Sequence, residues 1–578
     1  MINISPILDQ PQSIEYNLLP AGPFHRLANH ELTCRLDADS NAYELCWPWA
    51  DEVYARSLRL SIIDWQDGEL MPLATRFFAG HQETIAGTEG VIVTKRLALP
   101  YKSTDDRALL WLLECQAEGD RLLRLEIDID WGEELSQRIV DGLLVAQRNP
   151  GPARGIYRQS NADSTRIFGN PQGRPVHVDL DDPQHARLTY YVLVNGIVEV
   201  PLLLTVSDVG EQVAWSTFVS LRDVEDVFDA STRHWEQRVL SGRVWTPDPA
   251  LNQAMETARL TAVRHLQRLR TGLAPSDRRT AHVAPLASVW DTLDPTQSRN
   301  LLAHLRRVAE ASDGRLPALL PALPKSVAAD PGPAYLHTNG VYLRALHSHL
   351  NHHGPYHPKG NLVEQHLAAV RLCTEALIRL RSTAPHYVAE AHNGRELAAA
   401  LGHACALANA AGDTVNAARW ESEWHYVCEQ VGQESSEDRG TNWAEWPMQF
   451  GWQPDPDLPW SFTDPWQGME LASAVVWEGI GLRQRDADLL VEPGWDHPWW
   501  AVLNLSLTQE RQISLLWDGT TLHSTQPVTS SVPVRLRSRI DIRQTDEFGF
   551  DPYFELSDDS GDTVGRERFK PGFLLNQP

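Results

Sequence analysis

The chain is predicted to be a mixed β and α protein with an N-terminal β-sandwich, a central set of helical hairpins and a C-terminal antiparallel β-domain. Three observations predict it. Short segments rich in β-branched and aromatic residues, several of them alternating apolar with polar, fill the first region, residues 1–235. A 3.6-residue period with helix caps and stops marks 236–480, and the alternating pattern returns over 481–578. A length of 578 residues also exceeds what one ordinary hydrophobic core organises.

In the first region the strand candidates are "SLRLSII" (57–63), "VIVTKRLAL" (91–99), "RALLWLLECQ" (107–116), "RLLRLEIDID" (121–130), "RLTYYVLV" (187–194) and "QVAWSTFVSL" (212–221). Turn residues separate them and no helical period intervenes, which points to a large antiparallel sandwich. The period then changes. "METARLTAVRHLQRLRTG" sets Met255, Ala258, Ala262, Leu266 and Leu269 on one helical stripe, with Gly272 as its stop. Asp294 is an N-cap, Pro295 suits the first helical position, and Gln297 completes a capping box. Further helices are expected at 335–351, 361–381, 394–411, 414–431 and 467–478. Gly412 ends one of them and Asp413 or Thr414 caps the next, a short link that makes neighbours antiparallel. "ADLLVEP", "WAVLNLSL", "RQISLLWDG", "VPVRLRSRIDI" and "PYFELSDD" then supply the strands of the last region.

Composition narrows the function. The 51 basic and 76 acidic residues leave a net charge of −25, which argues against nucleic acid and anionic membrane as partners, since both need a basic footprint. No run approaches the ~18 apolar residues of a membrane span. The first residues, "MINISPILDQ", lack a basic start followed by an apolar run, so a cytoplasmic protein is expected. Six cysteines without a CxxC show no disulfide or zinc framework. Twenty-one tryptophans exceed the 13 tyrosines and 13 phenylalanines; indole faces stack on the apolar C–H face of a sugar ring, though a large β-domain also uses tryptophan as core filler.

Four stretches carry a resemblance. They are "PFHRLANHELTCRLDADSNAYELCWPWAD" (23–51), "WDTLDPTQSRNLLAHLRRVAEASDGRLPALLP" (290–321), "GRELAAALGHACALANAAGDTVNAARWESEWHYV" (394–427) and "DPWQGMELASAVVWEGIGLRQRDADLLVEPGWDHPWW" (464–500). Together they resemble the six-hairpin glycosidases: glucoamylase-like hydrolases, disaccharide phosphorylases and their relatives. The resemblance implies an N-terminal super-sandwich, an α/α toroid and a C-terminal β-domain. It also implies an oligosaccharide as ligand and no cofactor. Two departures stand out. Thr292 is followed at once by Leu293 and Asp294, where the family carries a longer connection. Fewer helices are legible than six hairpins need, so either several are short and weakly patterned or the toroid is incomplete.

Glycosidic cleavage calls for two carboxyl groups across the sugar, one protonating the leaving oxygen and the other activating water or, in a phosphorylase, replaced in that role by phosphate. The resemblance makes Trp290 and Asp291 of "WDT" sugar-binding groups, and reads them with "DGRLPA" (313–318) as loops on the toroid rim; the alternative for Asp291 is a helix-entry carboxylate that caps or pairs locally. It sets Glu390 of "PHYVAEAHNGRE" where relatives carry the general acid; the alternative is a solvated loop carboxylate. Glu445 in "TNWAEWPMQFGW" lies among Trp443, Trp446 and Trp452, and desolvation by indoles would raise its pKa towards that of a useful acid; relatives carry the base in this region. Trp443 and Trp446 are the expected stacking partners of a sugar. Asp464 and Glu470 are weaker candidates, Asp464 reading first as a helix cap before Pro465. His349 and His353 have an i,i+4 spacing that suits a metal, but Gly354 and Pro355 end the helix there and no acidic or thiol partner stands at a fixed spacing, so a polar C-terminal turn and no metal are expected. The signatures GxGxxG after a strand, GxxxxGK[ST], GxSxG and HExxH are absent. Two readings remain: an inverting glycoside hydrolase with Glu390 as acid and Glu445 as base, or a degenerate relative that binds a sugar or a protein without turnover.

Overall fold

Two strands of 23 residues each, Ala108–Asp130 and His185–Ser207, form the spine of the N-terminal region. They pair antiparallel along almost their whole length, with an irregularity between Ala117 and Arg121. The sequence suggested two strands on either side of "EGD" (118–120). One strand runs through instead, because the bend lets its first half pair with Val91–Ala98 and its second half with Glu52–Asp64. Alternation places Leu109, Trp111, Leu113, Leu125, Ile127 and Ile129 in one core. In this computed structural model the described residues are 14–16, 25–29, 31–49, 51–78, 80–101, 107–148, 164–321, 332–354, 356–357, 360–431, 465–485, 488–494, 499–507, 511–544 and 552–557. Among them the N-terminal strands form a 15-stranded sheet whose described pairings are antiparallel.

The segment expected as a strand at 212–221 is a helix, α1 (Glu211–Ser220). Its buried residues Ala214, Thr217 and Phe218 follow the i, i+3, i+4 spacing, and they pack on Ala108, Leu110 and Leu203 of the sheet's other face. Over ten residues the alternation there fits both periods, and the sheet face selects the helix. A second helix, α2 (Val224–Leu240), spans the position expected as the first domain boundary, residue 235.

The central region is helical: α3 (Pro249–His265), α4 (Val283–Leu293), α5 (Pro295–Ala311), α6 (Tyr335–His353), α7 (Leu362–Thr383), α8 (Pro385–Val388), α9 (Ala391–Ala410), α10 (Thr414–Val431) and α11 (Pro465–Ala474), which continues into a π-helical turn, Val475–Gly479. Asp248 and Asp294 cap α3 and α5, each followed by a proline at the first helical position. The helix expected to run to Gly272 stops at His265. Leu266–Leu269 and Gly272–Pro275 form a hairpin, so Leu266 and Leu269 belong to a strand.

The strand Arg243–Trp245, just before α3, adds to Trp500–Ser506 at the edge of a five-stranded C-terminal sheet, which is mixed and not antiparallel throughout as expected, since Leu522–Ser524 pairs parallel with Val534–Leu536. Buried Arg259 of α3 fastens this junction by donating to the carbonyls of Ser241 and Gly242. Among the described residues no helix is long and apolar enough to cross a membrane.

Candidate functional site

Trp290 and Asp291 are expected in a rim loop; they lie inside α4. The helix is apolar nearly all round, with only Ser288 half-buried, so it sits in the core and abuts α5 through the single residue Asp294. This close joint accounts for the short "WDTLDP" connection. Neighbouring residues on a helix point about 100° apart, and these two diverge accordingly. Trp290 is 1% exposed and reaches a cavity of about 30 Å³ beside Tyr101 and Trp235, room for about one water and not for a sugar. Its indole Nε1 has no hydrogen-bond partner.

Asp291 points towards α6. Its Oδ1 accepts a hydrogen bond from His349 Nδ1 at 2.6 Å and lies 3.6 Å from His353 Nε2, while Oδ2 is 3.8 Å from His352 Nδ1. Arg299 Nε donates to His349 Nε2 at 3.3 Å, which assigns the imidazole proton to Nδ1. His352 stacks on Trp477 of the π turn with ring centroids 4.1 Å apart, and His353 meets the same indole edge-on. The polar C-terminal turn expected here is a buried one: Asp291, His349 and His353 are all covered, the α6 C-terminus lying against α4 and the π turn. Burial alone would raise the Asp291 carboxyl, but the contact with His349 outweighs it and holds the group ionised, well below the ordinary carboxylate range. Burial pushes His353 down to about 3, so it is neutral at pH 7.

Asp291 also lines a cavity of about 170 Å³ between α4, α6 and α11. Pro285 and Ser288 come from α4, Arg344 and Ser348 from successive turns of α6, Glu470 and Ser473 from α11, and Glu478 from the π turn. An unbroken α-helix would leave Glu470 and Glu478 about 80° apart around its axis; the wider π turn takes up part of that angle and lets both face the cavity. Arg344 lies 3.6 Å from Glu470, a half-exposed pair that orients the side chains more than it stabilises the fold. Three carboxylates, one guanidinium and the hydroxyls of Ser288, Ser348 and Ser473 thus share its lining.

Of the remaining sequence candidates, Glu390 is the one that lies among the described residues. Glu390 is exposed at the start of α9, where it accepts from Asn393 Nδ2 at 2.9 Å, and it is not among the residues lining the cavity. Glu445, Trp443, Trp446, Trp452 and Asp464 lie outside the described residues. "DGRLPA" is an inner clasp and not a rim: Asn339 Nδ2 donates to Gly314 O at 2.7 Å, Thr338 Oγ1 to Leu316 O at 2.7 Å and Thr280 Oγ1 to Pro317 O at 2.6 Å. Sequence reasoning missed Arg344 and Glu478. The signal for Glu478 was there, since Glu470 and Glu478 are the charged residues of the apolar run "MELASAVVWEGIGL" (469–482).

No protein-family profile matches the chain, and no curated protein matches it. Solved structures do. A protein from the human microbiome, assigned as a kojibiose phosphorylase, superposes with a TM-score of 0.57 at 9% identity, covering 92% of this chain and 97% of that one. A family GH92 inverting mannosidase from Bacteroides thetaiotaomicron covers 72% of this chain and 61% of its own, at 10% identity and a TM-score of 0.42. An alpha-L-rhamnosidase from Dictyoglumus thermophilum covers 78% of this chain and 60% of its own, at 11% identity and a TM-score of 0.38. The last two likenesses are too distant to carry an argument. The chain therefore shares the overall fold of the human-microbiome protein: antiparallel strands, then helices, then strands again.

Proposed function

We propose that the protein is a carbohydrate-active enzyme, a glycoside hydrolase whose helices α3–α11 belong to an α/α toroid and whose site is the cavity between α4, α6 and α11. One observation carries this reading: Asp291, Glu470, Glu478 and Arg344 converge on a polar cavity of about 170 Å³, a space comparable to one pyranose ring. Carboxylates and serine hydroxyls are suited to the hydroxyl rim of a sugar, and a pair of glutamates can divide the acid and base roles. The acidic balance supports hydrolysis over phosphorolysis, because three carboxylates against one guanidinium repel a phosphate dianion. Glu470 and Glu478 are the two glutamates of the described wall, beside Asp291. Glu445, in the segment that leads into α11, is the proposed opposing carboxylate, with Trp443 and Trp446 stacking on the sugar. Glu390, exposed and not among the residues that line this cavity, takes no part in this reading.

A second reading, a non-catalytic relative that binds a sugar or a protein, is favoured by the Arg344–Glu470 contact, which holds one candidate acid in an ion pair. Turnover separates the two. A panel of α- and β-linked oligosaccharides, with and without phosphate, is incubated with the wild type and with Glu470→Gln, Glu478→Gln and Glu445→Gln. Hydrolysis without phosphate that is lost in folded Glu470→Gln or Glu478→Gln supports the proposed site. Activity only with phosphate overturns hydrolysis, and no turnover across the panel leaves the binding reading standing.

A further inference from the structure

We propose that Asp291, His349 and His353 form a binding site for a divalent transition-metal ion, with zinc as its first test. This reverses the expectation of no metal drawn from sequence, and it stands whether or not the neighbouring cavity takes a sugar.

Two observations carry it independently. The first is geometric. One carboxylate oxygen and one nitrogen from each imidazole lie within 4.8 Å of one another, and all three residues are buried. His349 and His353 are one turn apart on α6, which aims both rings at the same point, and Asp291 of α4 approaches from across the helix pair. Zinc bonds of about 2.0–2.1 Å put tetrahedral donors a little over 3 Å apart. The 3.6 Å gap from Asp291 Oδ1 to His353 Nε2 is near that already, and the 2.6 Å bond to His349 Nδ1 must open slightly.

The second observation is the state of His353. Both of its ring nitrogens are buried with no hydrogen-bond partner, as is Nδ1 of His352. A fully buried imidazole with two unsatisfied nitrogens is costly unless something fills one of them. A cation held between Nε2 and the Asp291 carboxylate would fill it, and that carboxylate would offset half of a divalent charge. Two imidazoles and one carboxylate are a donor set for zinc, cobalt or iron(II), with remaining positions for water or a ligand hydroxyl. Asp291 also lines the 170 Å³ cavity, so such a ligand has a way in.

Arg299 is the opposing feature and gives the test its direction. Its Nε donates to His349 Nε2, which keeps the proton on Nδ1, the nitrogen the metal would take. Metal binding must move that proton to Nε2, where it would collide with the guanidinium N–H. Arg299 is half-buried and has Asp291 and Asp294 as its charged neighbours, and removing it should favour the metal.

The test uses the full chain, stripped with a chelator and titrated with zinc against a chromophoric competitor. Metal content is read after desalting, and cobalt absorption reports coordination geometry. The expected result is about one zinc per chain and a tetrahedral cobalt spectrum. His353→Gln and Asp291→Asn should each weaken zinc by about 100-fold or more, and Arg299→Met should tighten it several-fold. Retention of less than about a tenth of an equivalent by the wild type overturns the site, whatever the variants do. So does wild-type affinity in His353→Gln and Asp291→Asn with native circular dichroism. If a variant fails to fold, the wild-type stoichiometry and cobalt spectrum decide alone.

Discussion

Asp291 Oδ1 and His349 Nδ1, 58 residues apart in sequence, meet at 2.6 Å with both side chains almost wholly buried. The bond joins α4 to α6 beside the cavity. Removing the carboxylate leaves the buried His349 Nδ1–H without an acceptor, so Asp291→Ala should cost about 2–3 kcal/mol in urea unfolding. Asp291→Asn keeps an acceptor for His349 and should cost about 1–2 kcal/mol. Equal losses in the two would mean that packing, not the hydrogen bond, sets the stability here.

Trp290 is a core residue that does not line the cavity Asp291 faces. Because its Nε1 has no partner, Trp290→Phe forfeits no hydrogen bond and should destabilise by no more than about 1.5 kcal/mol, whereas Trp290→Ala should lose about 3–5 kcal/mol. Sugar affinity of the phenylalanine variant, measured by calorimetry, should match the wild type. A large affinity loss in that variant would restore Trp290 as a sugar contact.

Gly314 of "DGRLPA" has a φ of +73°, and a Cβ there would stand 2.2 Å from the backbone carbonyl of Leu372. Neither strain nor clash can be relieved by moving a flexible side chain. Gly314→Ala should lose about 2–4 kcal/mol and lower the thermal midpoint. Gly412, also at positive φ but with open space around it, should tolerate alanine with a smaller loss.

Buried neutral histidines make the fold acid-sensitive. Burial lowers His81 to about 3 and His304 to about 4, against an ordinary value of 6.5. Between those limits the unfolded chain binds protons that the native chain refuses, so stability is complete above pH 6.5 and falls as the pH drops towards 3–4. Each histidine contributes a slope of up to about 1.4 kcal/mol per pH unit. His81 sits against Phe78 and Phe228, with an Nδ1 that has no partner. His81→Phe should therefore flatten the pH dependence of urea unfolding by about that slope, and an unchanged slope would refute the assignment.

For the proposed hydrolysis, loss of an acid or base lowers kcat by about 10²–10⁴-fold. Glu470→Gln or Glu478→Gln should show such a loss with a nearly unchanged KM, while Glu390→Gln should stay within about twofold of the wild type. A collapse in Glu390→Gln alone would return the acid to α9.

Local pattern was enough to read much of this molecule. The run Asp294-Pro295-Thr296-Gln297 announces the start of α5, and Gly412-Asp413-Thr414 announces the turn into α10, because caps and stops act through backbone groups a few residues away. The same locality explains the failures. In "QVAWSTFVSL" the apolar positions serve two periods, and only the sheet face beneath selects the helix. In "VAPLASVWDTL" nearly every side is apolar, so no stripe reveals a helix buried all round. The site is the extreme case. The i,i+4 spacing of His349 and His353 is visible in the chain, as are Glu470 and Glu478 in their apolar run, yet nothing in either window names Asp291 or Arg344 as a neighbour. Sequence by itself determined which residues share a helix face. The packing of α4 against α6 and α11 decided which faces meet, because burial of those apolar faces, and no local preference, carries the polar groups between them into contact.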